Sequence, residues 1–124
     1  MTSGAVYKSL LFIIWIVAII ALSGVPYPKN GGVSFKLTKY GMIMHFAAYF
    51  VAMALFYWAY KKNNVLSILY SCLSIFMFSV ALEIVQLYLP YRTFNPVDIA
   101  ANGFGIFFFV IIWMVCWKKR TTEI

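Results

Sequence analysis

Apolar residues run along this chain in four long stretches, each closed by a short polar or basic break. The first, LLFIIWIVAIIAL, lies between Lys8 and Pro26. The second runs from Tyr40 to Tyr60 and stops at Lys61-Lys62, where Asn63-Asn64 makes a polar turn. The third runs from Val65 to Leu89 and stops at Pro90, and the fourth runs from Pro96 to Trp117, before Lys118-Lys119-Arg120. A helix that crosses the hydrocarbon core needs about 20 mainly apolar residues, and each stretch is long enough. The pattern predicts helices over about 7–25, 40–60, 65–89 and 96–117. Between the first two lies PYPKNGGVSFKLTK, whose Pro and Gly-Gly argue against helix there. The connections are short, so successive helices alternate in direction. The expected fold is an all-α membrane protein, an antiparallel four-transmembrane-helix bundle, with residues 1–124 as a single membrane domain and no internal repeat.

Composition sharpens this picture. Of 124 residues, 65% are hydrophobic and only 10% charged. Average soluble domains are about 45–50% apolar and about 25% charged, and a soluble chain of this length has too much surface to hide the excess. A soluble enzyme, a nucleic-acid-binding domain and any sizeable extramembrane domain are excluded. The net charge of +7 does not point to nucleic acid, because the basic residues sit at the ends of the apolar runs, beside the lipid headgroups.

Alternation puts Lys8, Lys61, Lys62, Lys118, Lys119 and Arg120 on one side and Lys29, Lys36, Lys39 and Arg92 on the other. The bias favours both termini in the cytoplasm. The basic residues on the outer side then need a second reason to be there. The first stretch also has features of a cleavable signal peptide: Lys8 before it, an apolar core over 9–22, and Ala21-Leu22-Ser23 resembling a cleavage site. Cleavage would leave three helices, but the length of the stretch and its Trp15 favour a retained helix. Cys72 and Cys116 give no disulfide framework and read as small buried hydrophobes.

The few polar residues inside the stretches carry the chemistry. His45 is five residues into the second helix, about 7–8 Å below its end. Glu83 lies about 9 Å from the end of the third, on the same side. Asp98 is in the first turn of the fourth helix, Asn102 is one turn deeper, and Arg92 is in the loop between the third and fourth. Alternation alone brings them to one layer, whichever way the bundle is oriented. Facing lipid they would be costly, so burial against partners is favoured. Glu83 and Gln86 share a helix face at i, i+3, and Asp98, Asn102 and Gly105 share another. Ala101 and Gly105 are small at i, i+4 and allow a neighbouring helix to come close. The simplest arrangement turns these two faces toward each other, with His45 closing the third side and Arg92 folded over the top, paired with a carboxylate, Glu83 before Asp98.

Structural roles stand beside this reading. Asn95-Pro96-Val97-Asp98 looks like a helix start, with Asn95 as N-cap and Pro96 at the first position. Asp98 would then only satisfy the helix N-terminus. His45 could simply bridge helices, and Glu83–Arg92 could be a pair that holds the loop. Convergence at one depth favours a functional cleft. The aromatic residues read as structural: Phe107, Phe108 and Phe109 against lipid or neighbouring helices, Tyr57, Trp58, Tyr60, Trp113 and Trp117 as an inner belt, Tyr88 and Tyr91 as an outer one.

Glu83, Gln86, Pro90, Arg92, Asp98, Asn102 and Gly105 read E-x-x-Q-x-x-x-P-x-R-x-x-x-x-x-D-x-x-x-N-x-x-G, and His45-Phe46-x-x-Tyr49 opens the second helix. This pattern resembles the VanZ-like family of small bacterial integral membrane proteins, over most of the chain. In that family an acidic-Lys pair often precedes the His by four and three residues. Here those positions are Gly41 and Met42, and Lys39 is the nearest substitute for the charge. The resemblance implies a cell-envelope protein of the bacterial inner, cytoplasmic membrane. Its founding member is linked to low-level teicoplanin resistance, and no agreed biochemical activity comes with the family.

Two functions follow as expectations. The first is binding: His45, Tyr49, Glu83, Gln86, Arg92, Asp98 and Asn102 would hold an anionic lipid headgroup or a lipid-linked envelope precursor, attracted by Lys29, Lys36, Lys39 and Arg92. Glycopeptide tolerance would follow indirectly, from altered presentation at that surface. The second is an intramembrane enzyme acting on a lipid-linked phosphate or ester, with His45 as base or nucleophile, Glu83 or Asp98 orienting it, and Arg92 stabilising charge. Membrane lipids or lipid-linked precursors are the expected partners, with room for a homo-oligomer and no nucleic acid. No cofactor is assigned; one His with two carboxylates is a weak metal signature. A channel is disfavoured, because the polar lining stops at one layer.

Overall fold

The computed structural model describes residues 3–26, 34–60 and 64–122, with side chains over 3–26, 40–60 and 64–116. Lys29, Lys61 and Lys62 lie outside the described residues, as do the side chains of Lys36, Lys39, Trp117, Lys118, Lys119 and Arg120. Four helices follow one another: α1 over Ser3–Ser23, α2 over Ser34–Tyr60, α3 over Val65–Gln86 and α4 over Pro96–Thr122. All four are long and apolar enough to cross a membrane.

Helix ends differ from the pattern-based expectation. Helix α2 begins at Ser34, immediately after the segment that holds Gly31-Gly32, so Lys36 and Lys39 belong to its first turns rather than to a loop. The apolar signal starts later than the helix because a polar turn that projects beyond the hydrocarbon carries no hydropathy. Helix α3 stops at Gln86, before Leu89. Its last turn tightens into successive i→i+3 bonds, Leu87 N–H to Ile84 O, Tyr88 to Val85 and Leu89 to Gln86, each at 3.1 Å. Pro90, lacking an N–H, then ends the run. Asn64 caps the start of α3, its Oδ1 accepting from Ser67 N–H at 2.7 Å.

The inward face of α3 is a stripe of Ile68, Ser71, Ile75, Ser79, Glu83 and Gln86. The spacing is helical, and small or polar residues hold most positions, as expected where neighbouring helices rather than water drive association. On α4 the buried face is Ala101, Asn102, Gly105 and Ile106. A Cβ at Gly105 would collide with the Phe46 carbonyl and crowd the Phe50 N–H, so α4 rides on the backbone of α2 at this point. Below this crossing, Tyr57 packs against Phe109 and Trp113 with ring centroids 5.8 and 6.0 Å apart.

Helix α1 is attached differently. Ile19 is its buried residue, and Val6, Leu10, Ile13, Ile14 and Val17 face outward, where lipid would cover them. Its grip on α2 comes from Phe12 against Phe56, 5.1 Å between centroids, from the Trp15 indole N–H donating to the Ala48 carbonyl at 3.0 Å, and from Lys8 over the Trp58 ring at 5.0 Å. The last contact places Lys8 at the same end as the α2–α3 turn. Phe107 and Phe108 are exposed, whereas Phe109 packs on the core. Cys72 is half-buried, but Cys116 is exposed. It sits past Ile106, the last buried position of α4 among the described residues.

Candidate functional site

The loop from Leu87 to Asn95 sets up the site. Asn95 caps α4: its Oδ1 accepts from Val97 N–H at 3.0 Å and its carbonyl from Asp98 N–H at 3.0 Å. Pro96 occupies the first helical position, where its missing N–H costs nothing. Asn95 therefore does the capping that Asp98 could have done. The Asp98 carboxylate turns to α2 instead, with Oδ2 3.7 Å from His45 Nε2.

His45 is held from the other side by Asn102. Nδ1 lies 2.9 Å from Asn102 Oδ1. With an oxygen at that position the ring nitrogen must donate, which directs Nε2 at Asp98. Asn102 is fully buried, at 0% exposure, and its Nδ2 has no hydrogen-bond partner. The His45 bridge between helices expected as a structural role thus exists, and it also orients the ring.

Glu83 completes the cluster. It is 2% exposed, and its Oε2 has no hydrogen-bond partner. One ligating atom from each of His45, Glu83 and Asp98 can be chosen so that all lie within 4.8 Å of one another. These are the residues that could hold a metal. Buried polar atoms are nearly always satisfied, so two orphans in one small cluster mark a place built for more than packing.

Beside the cluster is a cavity of about 280 Å³. Ile19, Leu22, Met44, Ala48 and Leu82 give it apolar walls, and His45, Tyr49, Glu83, Gln86 and Arg92 give it polar ones. Tyr49, one turn below His45, is buried. Of the seven residues expected at the site, five line this cavity, and Asp98 and Asn102 stand behind His45 rather than on the wall.

Arg92 differs from expectation. Its Nη2 donates to the Leu22 carbonyl at 2.8 Å, while the Asp98 carboxylate approaches His45 at 3.7 Å, a contact that is an ion pair only when the imidazole is protonated. Glu83 remains within electrostatic reach of Arg92, His45 and Asp98. The Leu22 carbonyl lies at the C-terminal end of α1, where it also accepts from Val25 N–H at 3.3 Å, and a cation at a helix C-terminus is favoured. Helix α1 was absent from the expected site because an all-apolar helix carries no polar signal, and a main-chain carbonyl leaves none in the sequence.

A family model described as VanZ/LLP1 matches residues 6–117, which takes in all four apolar segments and every residue of the cluster. No curated protein and no solved structure matches the chain. With four helices of membrane-crossing length and that match over most of its residues, the chain belongs to the VanZ/LLP1 family as a multi-pass membrane protein.

Proposed function

We propose that this protein binds the headgroup of an anionic lipid or a lipid-linked envelope precursor in the cavity between α1, α2 and α3. The observation that carries the reading is the cavity's two-part wall, apolar on Ile19, Leu22, Met44, Ala48 and Leu82 and polar on His45, Glu83, Gln86 and Arg92. That pairing suits an amphiphile lying at the membrane boundary. Typical small-molecule pockets are about 300–1,000 Å³, so about 280 Å³ suits a headgroup and the start of a chain. A glycopeptide antibiotic is far too large to enter. A role in teicoplanin tolerance would therefore act through the lipid or precursor presented at the envelope surface. Arg92 supplies the positive charge in the wall, Lys36 and Lys39 begin α2 at the same end, and Lys29 precedes them in sequence. An inner-membrane location with both termini in the cytoplasm fits this reading and puts the cavity in the outer layer.

Native mass spectrometry of the protein in detergent, with endogenous lipid retained, tests it. A specific bound species lost in Arg92→Ala and in Glu83→Gln is the expected result. Random adducts that neither substitution changes would overturn it.

The His45–Asp98–Glu83 cluster favours a second reading, an intramembrane enzyme that acts on a lipid-linked phosphate or ester. His45, oriented by Asn102, would be base or nucleophile, and Arg92 would stabilise charge. Turnover of a lipid phosphate by purified protein, abolished in His45→Ala, would replace the binding reading with this one.

A further inference from the structure

We propose that His45, Glu83 and Asp98 form a three-ligand site for a divalent transition-metal cation, with His45 coordinating through Nε2. The proposal rests on the placement of the cluster alone and stands whether or not the cavity takes a lipid.

Geometry is the first support. The candidate ligating atoms lie within 4.8 Å of one another, and Nε2 to Asp98 Oδ2 is already 3.7 Å. Metal–ligand bonds of about 2.0–2.2 Å in a tetrahedral site put ligand atoms about 3.4 Å apart.

The buried acid is the second. Glu83 is 2% exposed and its Oε2 has no hydrogen-bond partner, although the residue belongs to the same cluster. A buried carboxylate is expensive unless it is compensated, and Glu83 has His45, Arg92 and the Asn95 N–H near it but no partner at Oε2. A cation shared with Asp98 would compensate both carboxylates, giving a ligand set that is neutral with a divalent ion.

The third support is what lies behind the histidine. Metal-binding histidines almost always donate their other ring N–H to an oxygen, which fixes tautomer and ring orientation. Asn102 Oδ1 is 2.9 Å from Nδ1 and occupies that position from a fully buried residue. A carbonyl oxygen at Nδ1 while Nε2 faces the Asp98 carboxylate, with Glu83 in the same cluster, is more than interhelical packing requires.

Imidazole with two carboxylates suits transition metals such as Mn²⁺ or Zn²⁺ better than Mg²⁺ or Ca²⁺, which take oxygen ligands. His45 and Glu83 line the cavity, so a remaining coordination position would face it. A water or an oxygen of a bound headgroup could take that position.

The test is a titration of the full chain in detergent, delipidated and stripped with a chelator, with Mn²⁺ followed by loss of the free-ion paramagnetic resonance signal and with Zn²⁺ by calorimetry. Stoichiometric binding is expected. Glu83→Gln and Asp98→Asn should each weaken it at least tenfold, and Asn102→Ala by about 10–100-fold, the usual effect of removing the group behind a metal-binding histidine. Circular dichroism establishes that each variant is folded, and the two conservative carboxylate changes keep the test valid if Asn102→Ala is not. A Cys72→Ser/Cys116→Ser variant should bind as the parent does. Binding absent from the parent, unchanged in both carboxylate variants, or lost with the cysteines would overturn the proposal. The titration contains no lipid, so its failure leaves the headgroup reading standing, and loss of lipid binding leaves the metal site standing.

Discussion

His45 Nδ1 and Asn102 Oδ1 lie 2.9 Å apart across 57 positions of sequence, and this bond ties α2 to α4 at the layer where the polar residues gather. Asn102 is fully buried, so removing its carboxamide leaves the imidazole N–H without a partner. Asn102→Leu should lower stability by about 1–2 kcal/mol, between the modest net value of an interhelical bond and the larger cost of an orphaned donor. Thermal unfolding in detergent measures this, and an unchanged midpoint would show that the bond is not maintained.

Gly105 sets how closely α4 approaches α2. A Cβ there meets the Phe46 carbonyl, whereas one at Gly4 meets nothing within 4 Å. Gly105→Ala should destabilise by about 1–3 kcal/mol through forced separation of two backbones. Gly4→Ala should be neutral or slightly stabilising, by up to about 1 kcal/mol, because alanine restricts the unfolded chain. A comparison of the two midpoints under one condition tests the contrast. Equal effects would contradict the close approach.

Glu83→Gln separates stability from function. The carboxylate is buried with an unpartnered oxygen, and replacing it by the neutral amide removes the cost of holding a charge there together with its attraction to His45 and Arg92. In metal-free, lipid-free protein the variant should unfold at an equal or higher temperature than the parent, even as it loses ligand. A clear drop in the midpoint would mean that the carboxylate already has its compensation within the fold.

The two thiols should react differently. Cys116 is exposed and Cys72 half-buried. A membrane-soluble maleimide should modify Cys116 several-fold faster, as followed by intact mass and peptide mapping. Equal rates would indicate that a neighbouring chain or lipid covers the end of α4.

The architecture was legible in the sequence because the hydrocarbon core demands runs of apolar residues of a length that nothing else in a short chain requires. The gathering of His45, Glu83, Asp98 and Asn102 followed from alternation, since polar residues inside apolar runs stand out. The partners did not follow. Arg92 was assigned to a carboxylate because charge is visible in sequence; Glu83 is within its electrostatic reach, and the Leu22 carbonyl is a further partner that sequence does not show. The start of α2 at Ser34 was hidden for the opposite reason, as a helical turn beyond the bilayer is polar and resembles loop. Asp98 was open between capping and the site, and the capping bonds of Asn95 resolve that competition only in three dimensions.

Helix α1 is tied to the rest of the protein at the site end through two main-chain oxygens: its own Leu22 carbonyl receives Arg92, and the Ala48 carbonyl of α2 receives Trp15. A carbonyl cannot be mutated away. Substitution can break this tie on the α1 side only at Trp15, so the outward aliphatic residues of the helix can change without loosening it. Among relatives, the cavity's α1 wall should change in shape while Arg92 keeps its hold, so that the apolar part of the ligand could diversify around an unchanged polar end.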